Sequence, residues 1–255
     1  GDNAIGPASA KFCVEKVIEN CKNNAIFMVN SFNNNTYGPA FHYALMMANE
    51  GLIGVTFCNS PAQMAPFGGK ERMLGTNPLS VVIPNGNEPI IIDMASSVVA
   101  KSKFKEYKEK GKLLEEGWAL DSNGKLTVDP DEAIKGLVLP FSGFKGYGIA
   151  LIIDVIAGLL SGAAYLNNVG SFYNNSSTPM NVGFTMIGIN PTLIFGDNFS
   201  LEIKKYINII RSSSFIDGVE GIVLPGDDRL KSYSINSKEG IDVSEDIYQF
   251  LKNGK

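Results

Sequence analysis

Two hydrophobic periods alternate over residues 8–57, and this alternation restricts the fold of the chain more than any other feature. From residue 8 to residue 23 the apolar positions Phe12, Val14, Val17, Ile18 and Cys21 recur at helical spacing, and Ala25-Ile26-Phe27-Met28-Val29 follows as a short run of strand character. A second helical pattern over 39–49, closed by Gly51, leads into Leu52-Ile53-Gly54-Val55-Thr56-Phe57. Strand, helix, strand predicts a parallel crossover within an α/β layer.

Residues 60–78 are dense in Pro and Gly and predict a long irregular loop, a length often tied to function. Two strands, 79–83 and 89–93, are joined by the Asn85-Gly86-Asn87 turn. Residues 96–112 have helical composition with a lysine-rich face, and 118–130 are turn-rich around Asp121-Ser122-Asn123-Gly124. The most apolar stretch, 149–165, contains Asp154 and many Gly and Ala residues, which predicts a buried helix and not a membrane span. Gly158 and Gly162 within it would admit a close backbone. Beyond it the pattern predicts a strand at 182–189, an amphipathic helix at 199–211, a short strand at 221–224 and a terminal helix at 243–251. Asn supplies 24 residues, clustered at 33–35, 167–168 and 174–175, a pattern expected of polar surface loops.

Composition narrows the chemistry. With 255 residues and 44% hydrophobic content the chain can build a full core in one or two domains. A net charge of −4 offers no cationic field for nucleic acid or an anionic membrane surface. His42 is the single histidine, and Cys13, Cys21 and Cys58 form no CxxC pair, so no His/Cys metal site is expected. Any histidine-based triad would depend on His42. Three cysteines, with Cys13 and Cys21 on one buried helix, fit a reducing, cytoplasmic setting. The start at Gly1 shows neither a basic n-region nor an apolar h-region, so the sequons at Asn34 and Asn198 are read as incidental.

No GxGxxG follows a strand and opens a helix. Gly143-Phe144-Lys145-Gly146-Tyr147-Gly148 reads on its own as a glycine-rich helix entry. Amides at a helix start and the Lys145 ammonium would together suit a phosphate or carboxylate. Asp93 ends an apolar strand, either as a helix N-cap or as an acceptor for a ribose or amide group of a bound cofactor. Pro225-Gly226-Asp227-Asp228 reads as a turn with an acidic helix start.

Taken in order, Gly51-Leu52-Ile53-Gly54, Asn59-Ser60, Pro66-Phe67-Gly68-Gly69, Gly75-Thr76-Asn77-Pro78, Asp93-Met94-Ala95, Trp118-Ala119-Leu120-Asp121, Lys145-Gly146-Tyr147-Gly148, Leu160-Ser161-Gly162 and Pro225-Gly226 make a set. Through these segments the chain resembles the malate/L-lactate dehydrogenase family of NAD(P)-dependent oxidoreductases, over nearly its whole length. The resemblance implies an α/β layered sandwich around a mixed sheet, a non-Rossmann cofactor fold, and a homodimer whose partner helps form the site. It implies NAD or NADP as cofactor and a small 2-hydroxy or 2-keto acid as substrate. Ser60, Asp93, Met94, Ala95, Phe144, Lys145, Gly226, Asp227 and Asp228 fall where the family contacts the dinucleotide, with Lys145 as cationic anchor. The implied division is a substrate and dimer part, 1–65 with 215–255, and a cofactor part, 66–214. Family members are usually longer, with a helical segment ahead of the position of Gly1, so part of the substrate pocket is expected to be missing.

The family uses a histidine in an Asn-Ser-x-His-Phe-Gly stretch as acid/base. The matching stretch here is longer, running from Asn30-Ser31 to Thr36-Tyr37-Gly38, and aligning Tyr37-Gly38 with Phe-Gly puts Thr36 at the histidine position. A threonine hydroxyl does not titrate near neutrality, so it cannot replace an imidazole in proton exchange. His42 is one substitute and Lys145 another. Two functions follow: a 2-hydroxyacid dehydrogenase, or a catalytically silent homologue that keeps the fold as a dinucleotide-binding or assembly protein.

Overall fold

The computed structural model describes residues 1–171 and 178–254, so the Asn174-Asn175 cluster lies outside the described residues. The chain opens with α1 (Gly6–Cys21), β1 (Ile26–Asn34), α2 (Ala40–Asn49) and β2 (Ile53–Cys58), the predicted alternation. The hairpin β3 (Leu79–Ile83) and β4 (Ile90–Met94) follows, then α3 (Ser102–Glu109), β5 (Ala119–Leu120), β6 (Leu126–Thr127), α4 (Pro130–Lys135) and β7 (Leu137–Val138). Next come α5 (Phe144–Ile153), a π-helical turn (Asp154–Leu159) and β8 (Val182–Ile189). The chain closes with α6 (Pro191–Phe195), α7 (Phe199–Arg211), α8 (Asp227–Glu239) and α9 (Glu245–Asn253).

The main sheet has the order β1-β8-β2-β3-β4, and every ladder in it is antiparallel. β1 and β2 run in the same direction, as the crossover predicts, but β8 lies between them and bonds to both. The sequence could not show this, because β8 comes from a distant part of the chain.

Register sorts the side chains onto two faces. Val29, Phe184, Met186, Gly188, Gly54 and Val82 point toward α1 and α2. There Val14, Val17 and Cys21 of α1 and Tyr43 and Met47 of α2 complete the largest core. Glycine is required where helix meets strand: a Cβ on Gly54 would lie 2.5 Å from the Ala44 carbonyl oxygen. On the other face the α5–π segment packs Ile153 and Ala157 on Phe57, while α7 packs Ile203 and Ile207 on Ile90. On β1, at the sheet edge opposite β4, Ile26 and Met28 stay exposed.

A second core gathers Met64, Leu74, Phe104, Leu114, Ala119, Ala133, Val138 and Ala150 beside the small sheet β6-β5-β7. The loop 60–78 is irregular, as expected, with a single bridge between Met64 and Leu74. Arg72 ties it to the end of α4 by donating to the carbonyls of Lys135 and Gly136 at 2.6 and 2.7 Å.

Four expectations change. The helix expected over 96–112 is confined to α3, because Ser96 and Ser97 bond to Thr76 and Val99 in an irregular, bent segment. No strand forms at 221–224; Leu224 is buried against α7, and Pro225 takes a single bond from the β4 edge. The 149–165 stretch is not a fully buried helix, since Leu151, Ile152, Val155 and Leu159 are exposed along its outer side. The 33–35 Asn cluster is not a surface loop either. β1 continues through Asn34, which is fully buried and donates to Ser31 Oγ and the Val182 carbonyl.

Candidate active site

One end of the main sheet carries most of the candidate residues. β1 and β2 finish there, β3 and β8 begin there, and β4 ends opposite Leu79 at Met94. Thr36, Ser60, Asn77 and the Asp93-Met94-Ala95 run therefore leave the sheet on the same side, as loops at strand ends commonly do in ligand sites.

A chain of hydrogen bonds joins these loops to the start of α5. Ser60 N donates to Asn77 Oδ1 at 3.0 Å, and Asn77 Nδ2 donates to the Ala150 carbonyl of α5 at 2.8 Å. Ser96 donates through both N and Oγ to the Thr76 carbonyl, and its own carbonyl accepts from Phe141 N. Gly146 completes the joint, because a Cβ there would sit 2.5 Å from the Phe141 oxygen and 2.6 Å from the Ser96 oxygen. Ser60, Ala95, Phe144 and Lys145 are thus held by one bonded frame. The α5 entry differs from expectation in one respect. The amides of Lys145 and Gly146 turn back onto Ser142 and Phe141, so the exposed Lys145 ammonium is the group left to meet an anion. Phe144, exposed beside it, meets Phe67 of the long loop edge-to-face at 5.8 Å.

A second group lies along the outer edge of β4. Ile91 N donates to the Pro225 carbonyl at 2.8 Å, and Gly226, at φ 106°, presses on Ile91 where a Cβ would come within 2.9 Å. This contact opens a cleft of about 520 Å³ lined by Asp93, Met94, Gly226, Asp228 and Arg229. Arg229 Nη2 donates to Asp93 Oδ2 at 2.6 Å, and its guanidinium stacks 4.5 Å above the Phe41 ring of α2. Burial lifts the Asp93 carboxyl above its usual range, and Arg229 pulls it partly back. Asp227 does not line the cleft. Its oxygens accept from Leu224 N and Arg211 Nη2, which fixes the turn.

Thr36 has φ 64°, a left-handed backbone that a β-branched residue rarely adopts, and its carbonyl abuts Gly6. His42 stands on the exposed side of α2, its ring edge-on to Tyr43 at 5.7 Å, and does not line the Asp93–Arg229 cleft. Among the described residues no cluster of three or more His, Cys, Asp or Glu groups gathers, and no helix is long and apolar enough to cross a membrane.

The sequence pattern of the malate/L-lactate dehydrogenases matches residues 1–252. The chain belongs to the malate/L-lactate dehydrogenase family. It is 33% identical over 253 residues to the L-sulfolactate dehydrogenase of Methanocaldococcus jannaschii, a match covering 99% of this chain and 72% of the relative. The malate dehydrogenase of Pyrococcus horikoshii is 35% identical over 98% of this chain and 71% of its own length. The NAD(+) ureidoglycolate dehydrogenase of Escherichia coli is 32% identical over 98% of this chain and 72% of its own. The solved sulfolactate dehydrogenase structure superposes with a TM-score of 0.89 over 99% of this chain and 72% of that one.

One residue of the site, Arg229, carries no signal in the sequence until the fold brings it to Asp93. Asn59 and Asn77 lie in matched segments, but their roles show only in the fold, which brings Asn77 to Ser60 and Asn59 beside Asp154. Asn59 donates to the Ala164 carbonyl at 2.6 Å and accepts from Gly183 N at 3.0 Å, next to the buried Asp154. Asp154 Oδ2 accepts from Leu166 N, Oδ1 has no partner among the described residues, and desolvation raises the pKa above 3.8. The folded chain then holds this proton more tightly than the unfolded one, so stability falls as pH climbs from 3.8 through the raised value. An Asp154→Asn variant loses that contribution. Urea midpoints at about pH 4 and about pH 7 should drop less for the variant than for the parent; equal drops would refute the assignment.

Proposed function

We propose that the chain binds a nicotinamide dinucleotide and transfers hydride between it and a small 2-hydroxy or 2-keto acid. The observation carrying this reading is the frame that joins Ser60, the Asp93-Met94-Ala95 run and Lys145 at one sheet end, the residues to which the resemblance assigns the family's cofactor contacts. The fit is physical as well: Gly146 and Gly226 are pressed where any side chain would collide, and Lys145 presents an exposed ammonium at the frame's rim. When bound, the nicotinamide supplies or accepts the hydride. Lys145 would neutralise a phosphate or carboxylate, Phe144 and Phe67 would shield one side from water, and Thr36 would hold the substrate oxygen by a hydrogen bond.

Titrating the protein with NADH and NADPH, followed by fluorescence and thermal shift, tests the binding half. Saturation below about 1 mM is expected, within the usual range for such ligands, and no response there would sink the reading. A second reading, a silent dinucleotide-binding homologue, has one observation in its favour. The resemblance puts Thr36 at the family's histidine position, and the chain's single histidine, His42, is turned to solvent on α2.

A homodimer fits the surface. Ile26 and Met28 on the sheet, with Ile152, Val155 and Leu159 on the adjoining segment, leave an apolar area of the kind that a second copy covers. The two-part division into 1–65 with 215–255 and 66–214 is retained as a functional division only, since the main sheet draws strands from both parts. A cytoplasmic setting accords with three free, buried cysteines.

A further inference from the structure

The β4–α8 cleft holds an unusual balance of charge for a site that meets a phosphorylated ligand. Two carboxylates, Asp93 and Asp228, face one guanidinium, and that guanidinium is committed twice. Arg229 gives Nη2 to Asp93 Oδ2 at 2.6 Å and lies flat on Phe41 at 4.5 Å. Arg211, the next cation along this edge, is held by Asp227 at 2.9 Å. The side chain of Asp93 is 19% exposed, so its carboxylate relies on Arg229 for most of its compensation.

From this arrangement we infer that Asp93 and Arg229 select the dinucleotide without a 2′-phosphate, so that the protein uses NAD in preference to NADP. The inference rests on the reading that this cleft holds the adenosine ribose. A ribose diol is a donor, and Asp93 Oδ1 remains to accept from it while Oδ2 keeps its partner. A 2′-phosphate would bring a charge of about −1.5 to −2. To be neutralised it must draw Arg229 away and leave a largely buried carboxylate uncompensated, which is the costly way to break such a pair. If Arg229 stays, the phosphate sits against Asp93 and Asp228 with no free cation on the lining.

Binding of NADH and NADPH to the full chain at low and at physiological salt tests this. The parent should bind NADH at least about tenfold more tightly than NADPH. Asp93→Asn removes one negative charge and releases Arg229, so the gap should shrink to about threefold or less through a gain in NADPH affinity. Arg229→Met should widen the gap, because Asp93 is then unopposed. Thermal midpoints check that each variant is folded, and Asp228→Asn, an exposed change, gives a smaller shift toward NADPH should Asp93→Asn not fold. Equal or tighter NADPH binding by the parent overturns the inference and leaves the functional reading standing, as does an unchanged ratio in the folded variants. Failure of both cofactors to bind overturns the functional reading and takes the inference with it.

Discussion

A Thr36→His variant is expected to reduce oxaloacetate or pyruvate faster than the parent, by about 10² to 10⁴ in kcat, the usual contribution of a positioned acid/base. The backbone favours the exchange. At φ 64° threonine is strained by its branched Cβ, whereas histidine is among the residues enriched in that region. The imidazole would also bring a titration near its ordinary pKa of about 6.5, so a pH limb should appear in the variant's rate that the parent lacks. Affinity for NADH should stay unchanged, because Ser60, Asp93 and Lys145 are untouched. Thr36→Ala serves as the control for a purely local change. If the parent already turns over as fast as the variant, Thr36 does not occupy the acid position and the silent reading is eliminated. If the folded variant gains nothing, the placement of the acid at residue 36 is wrong.

The second large effect concerns the proposed dimer. The parent should elute at twice its 27.5 kDa mass, and Ile152→Asp should bring it to the single-chain value. Ile152 is 56% exposed in the isolated subunit, so aspartate there leaves the subunit core intact. In a dimer it would place an unpaired carboxylate against Met28 or its surroundings, at a cost of about 3 kcal/mol or more. A two-fold interface counts that cost twice. A parent that elutes at 27.5 kDa at micromolar concentration would refute the dimer, and an Ile152→Asp protein that still elutes at twice this mass would move the interface elsewhere.

Much of the fold is legible because local pattern and tertiary environment agree. α1, α2, β2, β3, β4 and α7 follow directly from period and turn residues, since each packs one apolar stripe against the layer beside it. The sequence misleads where polar residues find distant partners. Asn34 looks like loop composition, yet it is buried by Ser31 and Val182. Leu151, Ile152 and Val155 look like core, yet they face outward. In a stretch this uniformly apolar, no period shows which side turns to the chain's own core. The candidate site divides in the same way. Its glycines, Lys145 and Asp93 belong to motifs with a local signature, whereas Arg229 reaches Asp93 from 136 residues away and has none.

The position of β8 governs how the chain can be assembled. Thr185 meets Asn30 across 155 residues, and among the described residues β1 has no ladder partner other than β8. During synthesis the β2–β3–β4 meander can pair as it emerges, but β1 must wait until residue 189 has left the ribosome. Closing so long a loop before its contacts form slows folding and keeps an apolar strand open to wrong partners. Chaperone demand and nascent-chain aggregation should therefore fall on this strand, and a chain cut short before Val182 would hold β1 and β2 with nothing to join them.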